Sequence, residues 1–274
     1  CVPDLLTAGH LRELLPFLVQ PAARLRRLVP VAIRHRIWQH RTLQAVRELP
    51  PAALRRLLAD IESTIDVERL RWLRRAHLRA PEELQELCDY RRKLEIAIVK
   101  ALLVRLHDGP RRRILDLGSG GGYFVAVCRH LGHSCDGTEV PASRLSSATA
   151  VSYAAVRAAL RIGPTIDLAI AANTPIEVPA IEPRSYDLIT AHKICFNGHM
   201  RPKVWSTPEW RFFVTDVCRF LAPGGQLVLE LNEDVARYGS RRWYDAELAH
   251  YFGTVGQVVR GWITVERDRV DARS

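Results

Sequence analysis

The sequence has no long apolar run, no closely paired cysteines and very little lysine. No stretch of its 274 residues approaches the roughly 18 consecutive apolar residues that a membrane-spanning helix needs. The six cysteines contain no C-x-x-C spacing, which argues against a zinc ribbon, a thioredoxin-type redox pair and a disulfide-built mini-domain. The first residues lack the basic and apolar regions of a signal peptide. We therefore expect a cytoplasmic protein with reduced thiols.

Basic side chains outnumber acidic ones by 40 to 30, which gives a net charge of +10. Only four of the 40 are lysines, and residues 21–60 carry nine arginines against Glu48 and Asp60. Such a segment is either a solvated basic face or a surface for nucleic acid, an anionic membrane or an acidic partner protein.

Residues 1–80 have the periodicity of helices, with apolar side chains recurring every three or four residues. We predict an all-helical domain there, serving as a lid, a homodimer contact or a substrate-recognition module, and a second domain over residues 81–274. A helix from Glu82 to about Leu106 opens the second domain, with acidic residues in its first turn, where the helix dipole favours them. From Arg112 onward, short apolar strands alternate with helices; the third strand is predicted over 166–171, and the last element is a strand that ends at Glu266. This order predicts a mostly parallel sheet covered by helices on both faces.

The strongest motif is a glycine-rich loop, Asp116-Leu117-Gly118-Ser119-Gly120-Gly121-Gly122, between a predicted strand and a predicted helix. Glycines there allow a tight turn and a close approach to a ligand, and the helix start offers free N–H groups. Glu139 ends the next predicted strand, where its carboxylate can reach a ribose diol at the same edge of the sheet. The loop is not a G-x-G-x-x-G dinucleotide fingerprint, whose third glycine would fall at Tyr123, and it lacks the Gly-Lys-Ser/Thr ending of a phosphate-binding loop.

Four segments, in this order, resemble the class I S-adenosylmethionine-dependent methyltransferases. They are ILDLGSGGGYF at 114–124, the acid of DGTEV at 136–140, SYDLITAH at 185–192 and LAPGGQLVLELN at 221–232. The resemblance covers about residues 82–267. It implies a Rossmann-like sheet of seven strands with a reversed last strand pair, S-adenosylmethionine as the cofactor and S-adenosylhomocysteine as the product.

The resemblance also implies which residues bind the cofactor. The residues that would surround its methionine half are Asp116, Gly118, Ser119, Gly120 and Gly122. Glu139 would accept both ribose hydroxyls, and Val140 would pack on the adenine ring. The family often has an acid after the third strand for the adenine amino group; in its place Asn173 would accept through its amide oxygen.

The methyl acceptor is expected beyond the ends of the fourth and fifth strands, beside the cofactor. His192 is the first candidate for a base or an acceptor-orienting group, because imidazole titrates near working pH, and His199 is the second. Asn197 could orient the acceptor, and Glu230 and Asn232 end the fifth strand at the same mouth. The alternatives are a histidine that bonds only to backbone and polar residues that cap a loop.

Two further clusters have competing interpretations. Trp205 and Trp210 could wall an apolar substrate pocket, or they could pack in the core. His192, Cys195 and His199 have the short spacing of metal ligands, as does the run from Cys128 to Cys135. The latter residues fit ordinary helix and turn positions, and we predict no metal site.

The sequence thus predicts a methyltransferase that acts on oxygen or nitrogen of a small-molecule substrate. The alternative is an RNA methyltransferase whose arginine-rich N-terminal helices hold the nucleic acid. A third hypothesis is a non-catalytic binding protein that keeps the fold.

Overall fold

The structure, a computed structural model, describes residues 51–194, 205–231, 245–259 and 261–271. The helices predicted before residue 51 lie outside the described residues. The same holds for three of the predicted site residues, His199, Asn197 and Asn232.

A seven-stranded sheet forms the centre of the described chain, in the order β3-β2-β1-β4-β5-β7-β6. The strands are β1 (Arg113–Leu117), β2 (Ser134–Glu139), β3 (Ile166–Asp167), β4 (Tyr186–His192), β5 (Leu221–Glu230), β6 (Gly256–Val259) and β7 (Trp262–Glu266). Strands β1 to β5 are parallel, whereas β7 is antiparallel to both β5 and β6. This order, with its reversed last strand pair, confirms the predicted fold class.

Helices cover the sheet on both faces. The described helices are α1 (Pro51–Glu62), α2 (Val67–Ala76), α3 (Glu82–Cys88), α4 (Tyr90–Leu103), α5 (Tyr123–His130), α6 (Ser147–Leu160), α7 (Thr207–Cys218), α8 (Ala246–Val255) and α9 (Arg267–Asp271). Helices α4 and α5 pack on each other, and α5 packs on β2. Helices α7 and α9 pack on β5, and α8 packs on β6 and β7. None of the helices in the described ranges combines the length and apolar character needed to cross a bilayer.

Helices α1 and α2 are joined to the sheet-bearing part of the chain. The Asp66 amide donates to the carbonyl of Ala159 at the end of α6, at 2.8 Å, and Arg91 Nε of α4 lies 2.8 Å from Glu62 Oε1. The chain from Leu49 onward forms one compact unit. The boundary predicted between residues 80 and 81 therefore falls inside that unit, because these contacts cross it.

Three elements differ from the sequence prediction. The helix predicted from Glu82 to Leu106 is interrupted at Asp89, whose φ of −77° and ψ of 71° are not helical. The Tyr123 hydroxyl donates to the carbonyl of Leu87 at 2.8 Å, so a tertiary contact satisfies a carbonyl next to the break. Strand β3, predicted over 166–171, has only two residues, and α9 was not predicted. The four cysteines within the described ranges are free and buried.

Candidate functional site

The glycine loop joins β1 to α5 through left-handed backbone. Gly118, Gly120 and Gly122 have φ values of +66°, +56° and +80°, a region that residues with a side chain rarely adopt. A Cβ at Gly118 would also overlap the side chain of Ile194, which follows β4, and one at Gly122 would overlap Ile162. A side chain at either position would therefore be strained by the positive φ and would force Ile194 or Ile162 to shift.

Strand β2 anchors this loop through Thr138. The Gly118 amide donates to Thr138 Oγ1 at 3.2 Å. The Ser119 amide and hydroxyl both donate to the Thr138 carbonyl, at 2.8 Å and 3.1 Å. The Ser119 hydroxyl thus fixes the loop to the sheet.

Glu139 ends β2 with its carboxylate against the same loop. Its Oε2 accepts from the Gly120 amide at 2.8 Å, and its Oε1 accepts from the Val140 amide at 2.9 Å. Each carboxylate oxygen accepts more than one hydrogen bond, so both oxygens keep capacity for further donors. The structure brings the predicted ribose-binding acid and the predicted glycine loop together.

Asp116 lies beneath the loop, on the side chain of Thr190. Its side chain is buried, and its Oδ1 accepts from the Thr190 hydroxyl at 2.7 Å. Burial raises the pKa of Asp116 to about 7, while Thr190 and the charge of Lys100 limit the rise. Asp116 therefore ties the end of β1 to β4 through Thr190 and carries a partial negative charge near neutral pH.

A second carboxylate, Glu230, ends β5 and is enclosed by cationic groups. Lys100 Nζ of α4 lies 2.9 Å from its Oε2, and Lys193 Nζ lies 3.6 Å from its Oε1. Burial alone would raise the pKa of the Glu230 carboxyl, but Lys100, with smaller contributions from His192 and Lys193, holds that pKa well below its usual range. Glu230 is thus a buried, ionised acid that binds two lysines.

His192 ends β4 beside Glu230 and lies between two aromatic rings. The ring centroids of Phe124 and Trp262 are 4.7 Å and 5.6 Å from that of the imidazole, both in edge-on geometry. Its Nδ1 lies 3.4 Å from Glu230 Oε2, and Nε2 has no hydrogen-bond partner among the described residues. Burial and the charge of Lys100 lower the pKa of His192 to about 4, against the opposing effect of Glu230. The imidazole is therefore neutral at neutral pH.

Trp205 and Trp210 lie in the core on the other face of β4. Trp210 is 0% exposed, and its ring contacts those of Trp205, Phe213 and Phe252 at centroid distances of 5.4, 5.9 and 5.5 Å. Their cluster includes the residues of β4 that alternate with His192. The interpretation of these two tryptophans as a substrate wall is corrected to core packing, since aromatic side chains of this size gain most by burial between helix and sheet.

The two adenine-side residues lie at the far edge of the sheet. Val140 is partly buried next to Glu139, and Asn173 is exposed in left-handed backbone with φ of +52°. Their contact with adenine stays a prediction. In the described part of the chain, no group of three or more His, Cys, Asp or Glu residues is arranged to hold a metal ion.

Sequence reasoning missed Lys100 and Thr190. Lys100 reaches Glu230 from a helix more than 100 residues earlier in the chain, so no local pattern links them. Two signals were present: lysine is scarce in this chain, and Thr190 lies two residues before His192 and so on the same face of the strand.

The sequence matches no protein-family model, and no curated protein is significantly similar to it. Solved structures do match. The crystal structure of the glycopeptide N-methyltransferase MtfA is 17% identical over 53% of this chain and 56% of its own, with a TM-score of 0.34. SAM-bound CalS10, an amino pentose methyltransferase from Micromonospora echinaspora, is 22% identical over 50% of each chain, with a TM-score of 0.32. A SAM-dependent methyltransferase from Aquifex aeolicus is 16% identical over 61% of this chain and 88% of its own, with a TM-score of 0.39.

The chain spans about half the length of MtfA and of CalS10. The decisive observation for the fold is the strand order together with the glycine loop between β1 and α5. The chain has the class I methyltransferase fold. Similarities at this level of identity and TM-score carry no argument about this chain, and the substrates of these proteins do not transfer to it.

Proposed function

We propose that this protein is an S-adenosylmethionine-dependent methyltransferase that acts on oxygen or nitrogen of a small-molecule acceptor. The observation that carries the proposal is the hydrogen bond between the Glu139 carboxylate and the Gly120 amide. It joins the acid at the end of β2 to the left-handed glycine loop, and the two together form one surface for a nucleoside and its amino-acid substituent.

The residues of this surface fit the cofactor chemically. Glu139 keeps lone pairs for two ribose hydroxyls, and the partial charge on Asp116 favours a nearby cation. When bound, S-adenosylmethionine supplies a methyl group on a sulfonium, which is an excellent leaving group.

The protein mainly has to align the acceptor with that methyl group. A hydroxyl acceptor also has to lose a proton, and a neutral imidazole at the end of β4 is able to take it. The carboxylate of Glu230, 3.4 Å from His192 Nδ1, would stabilise the imidazolium that results. His192 stays the candidate base on this geometry, and its low pKa makes it a weak one.

Calorimetry with S-adenosylmethionine and S-adenosylhomocysteine tests the proposal. We expect both to bind the wild type, and we expect Glu139→Ala to weaken binding by roughly tenfold or more, because a charge-assisted hydrogen bond contributes about 1.5–3 kcal/mol. Glu139→Gln keeps one acceptor oxygen for the loop amides and should lose less.

Glu182→Gln is the matched control, because Glu182 is an exposed acid paired only with Arg113 in the described chain. Its affinity should stay within about twofold of the wild type. No heat with the wild type, or unchanged affinity in Glu139→Ala, would overturn the assignment of the cofactor site.

One observation favours the RNA alternative. Helix α2 exposes four arginines around Trp72, which is 48% exposed, and the guanidinium of Arg69 stacks on the Trp72 ring at 4.3 Å. Exposed arginine and aromatic side chains of this kind can bind phosphates and stack on bases. Binding to single-stranded RNA that falls steeply with salt, and that Trp72→Ala weakens, would support this alternative. Salt-insensitive or absent binding would remove it.

A further inference from the structure

Three of the four lysines of the chain converge on one place. Lys93 and Lys100 are seven residues apart on α4, two helical turns that put them on the same side of the helix. Lys193 follows β4 directly. The three are close enough that Lys100 and Lys193 both contribute to lowering the pKa of Lys93. Because arginine supplies 36 of the 40 basic residues (40 − 4), chance alone does not favour three lysines here.

The cluster lies against the glycine loop. Ile194, the neighbour of Lys193, is the residue that a Cβ at Gly118 would overlap. Lys100 is within electrostatic reach of Asp116 beneath the loop. Lys100 and Lys193 therefore lie on the side of the loop that faces β4 and β5, where the acceptor is expected, and Lys93 lies two turns from Lys100 on the same side of α4.

Among the described residues, the cations in this cluster outnumber the acids. Arg92, Lys93, Lys100 and Lys193 carry four positive charges, and Glu86 and Glu230 carry two negative ones, an excess of two. Asp116 adds part of a third negative charge, since its pKa of about 7 leaves it only partly ionised at neutral pH.

Lys93 differs from the other basic residues of the cluster, because ion pairing within the described chain does not account for its position. Lys100 and Lys193 both bind Glu230, and Arg92 lies 3.6 Å from Glu86. Lys93 is partly buried, and its ammonium group forms no ion pair or hydrogen bond with any residue in the described ranges. Burial lowers the pKa of Lys93, which means that holding its charge there is unfavourable until an anion arrives.

The proposed cofactor makes this excess larger, because a sulfonium adds a further positive charge beside the loop. We propose that the methyl acceptor carries an anionic group, a carboxylate or a phosphate, which Lys93 binds beside the glycine loop. This inference rests on the proposed function. The compact ammonium of lysine suits a single oxygen contact with such a group.

The experiment measures binding of small anions to the protein saturated with S-adenosylhomocysteine, by ligand-observed NMR. The probes are matched pairs: succinate and succinamide, benzoate and benzamide, phenyl phosphate and phenol. We expect at least one anion to bind more tightly than its neutral partner. Lys93→Gln should weaken that anion roughly tenfold, and Lys93→Arg should largely restore it.

Arg91→Gln is the control for charge. It removes the same charge from the same helix, two residues away, but its side chain is 61% exposed and binds Glu62. Anion affinity in this variant should stay within about twofold of the wild type. Melting temperatures of all three variants verify that they are folded.

Three results would overturn the inference, and they differ from failure of the proposed function. The first is the absence of any preference for an anion over its neutral partner while S-adenosylhomocysteine still binds. The second is a preference that Lys93→Gln leaves unchanged. The third is a loss in Lys93→Gln of affinity for S-adenosylhomocysteine but not for methylthioadenosine, which lacks the amino-acid carboxylate; Lys93 would then bind the cofactor. Absence of S-adenosylhomocysteine binding in the wild type would instead overturn the proposed function itself.

Discussion

Two carboxylates lie at the ends of strands of the same sheet, and they differ in the groups that bind them. Glu139, at the end of β2, accepts from the backbone amides of Gly120 and Val140. Glu230, at the end of β5, is bound by the side chains of Lys100 and Lys193. Backbone amides hold an acid in place without adding a full charge, so Glu139 stays able to accept from a neutral ligand. Lysines neutralise an acid. Glu230 therefore positions Lys100 and Lys193, and the remaining positive charge of the lysine cluster is available to the proposed anionic acceptor.

The largest expected effect is a difference in stability between variants of Lys100 and Lys193, the two lysines that bind Glu230. Lys100→Met leaves a buried carboxylate without its nearest cation, and we expect the free energy of unfolding to fall by about 3–5 kcal/mol in urea denaturation. Lys193→Met removes a partner of the same acid whose side chain is 49% exposed. It should cost less than about 1 kcal/mol. Equal losses in the two variants would contradict the idea that burial of the Lys100 pair decides the stability of this edge.

The next effect concerns the glycine loop, at the ends of β1 and β2. Gly118→Ala introduces a Cβ in left-handed backbone and into the side chain of Ile194. Gly163→Ala is the matched control, because its φ of +77° is similar and nothing lies within 4 Å of the added Cβ. We expect Gly163→Ala to cost about 1–2 kcal/mol and Gly118→Ala to cost about 1–3 kcal/mol more, from overpacking. Losses of the same size would mean that Ile194 moves aside freely and that the loop is not tightly enclosed.

The smallest effect is the acid sensitivity of His192. A pKa of about 4 in the folded chain, below its usual 6.5, means that the unfolded chain takes up the proton first. Stability from this group is therefore complete above about pH 6.5 and falls as the pH drops towards 4, by roughly 2 kcal/mol between pH 8 and pH 5. Urea denaturation at both pH values, with His192→Gln for comparison, measures it. A difference between variant and wild type that does not change with pH would show that the imidazole is not buried as a neutral group.

The part of the site at the end of β2 was predictable because its sequence signals are local. The glycines from Gly118 to Gly122 mark a turn by backbone conformation alone, and Glu139 follows on the next strand. The part of the site at the end of β5 was only partly predictable. His192 and Glu230 were found as strand ends, but Lys100 reaches Glu230 from α4 through tertiary packing. The helix break at Asp89 was missed as well, and a tertiary hydrogen bond from the Tyr123 hydroxyl to the Leu87 carbonyl accompanies it. The position of Trp210 was also ambiguous, because the sequence alone does not show which face of a sheet an aromatic side chain covers.

The antiparallel strand β7 has a consequence for the order in which the protein can be built. Trp262 is paired with Glu230 in the sheet and closes one side of the imidazole of His192. During synthesis, the loop, Glu139 and Lys100 all leave the ribosome well before this residue. A nascent chain that stopped short of residue 262 would already hold the elements proposed to bind a nucleoside, yet the histidine would face water along one wall. Strand β7, which follows all the other strands of the described sheet, is thus the one that shields the imidazole of His192 from water on that side.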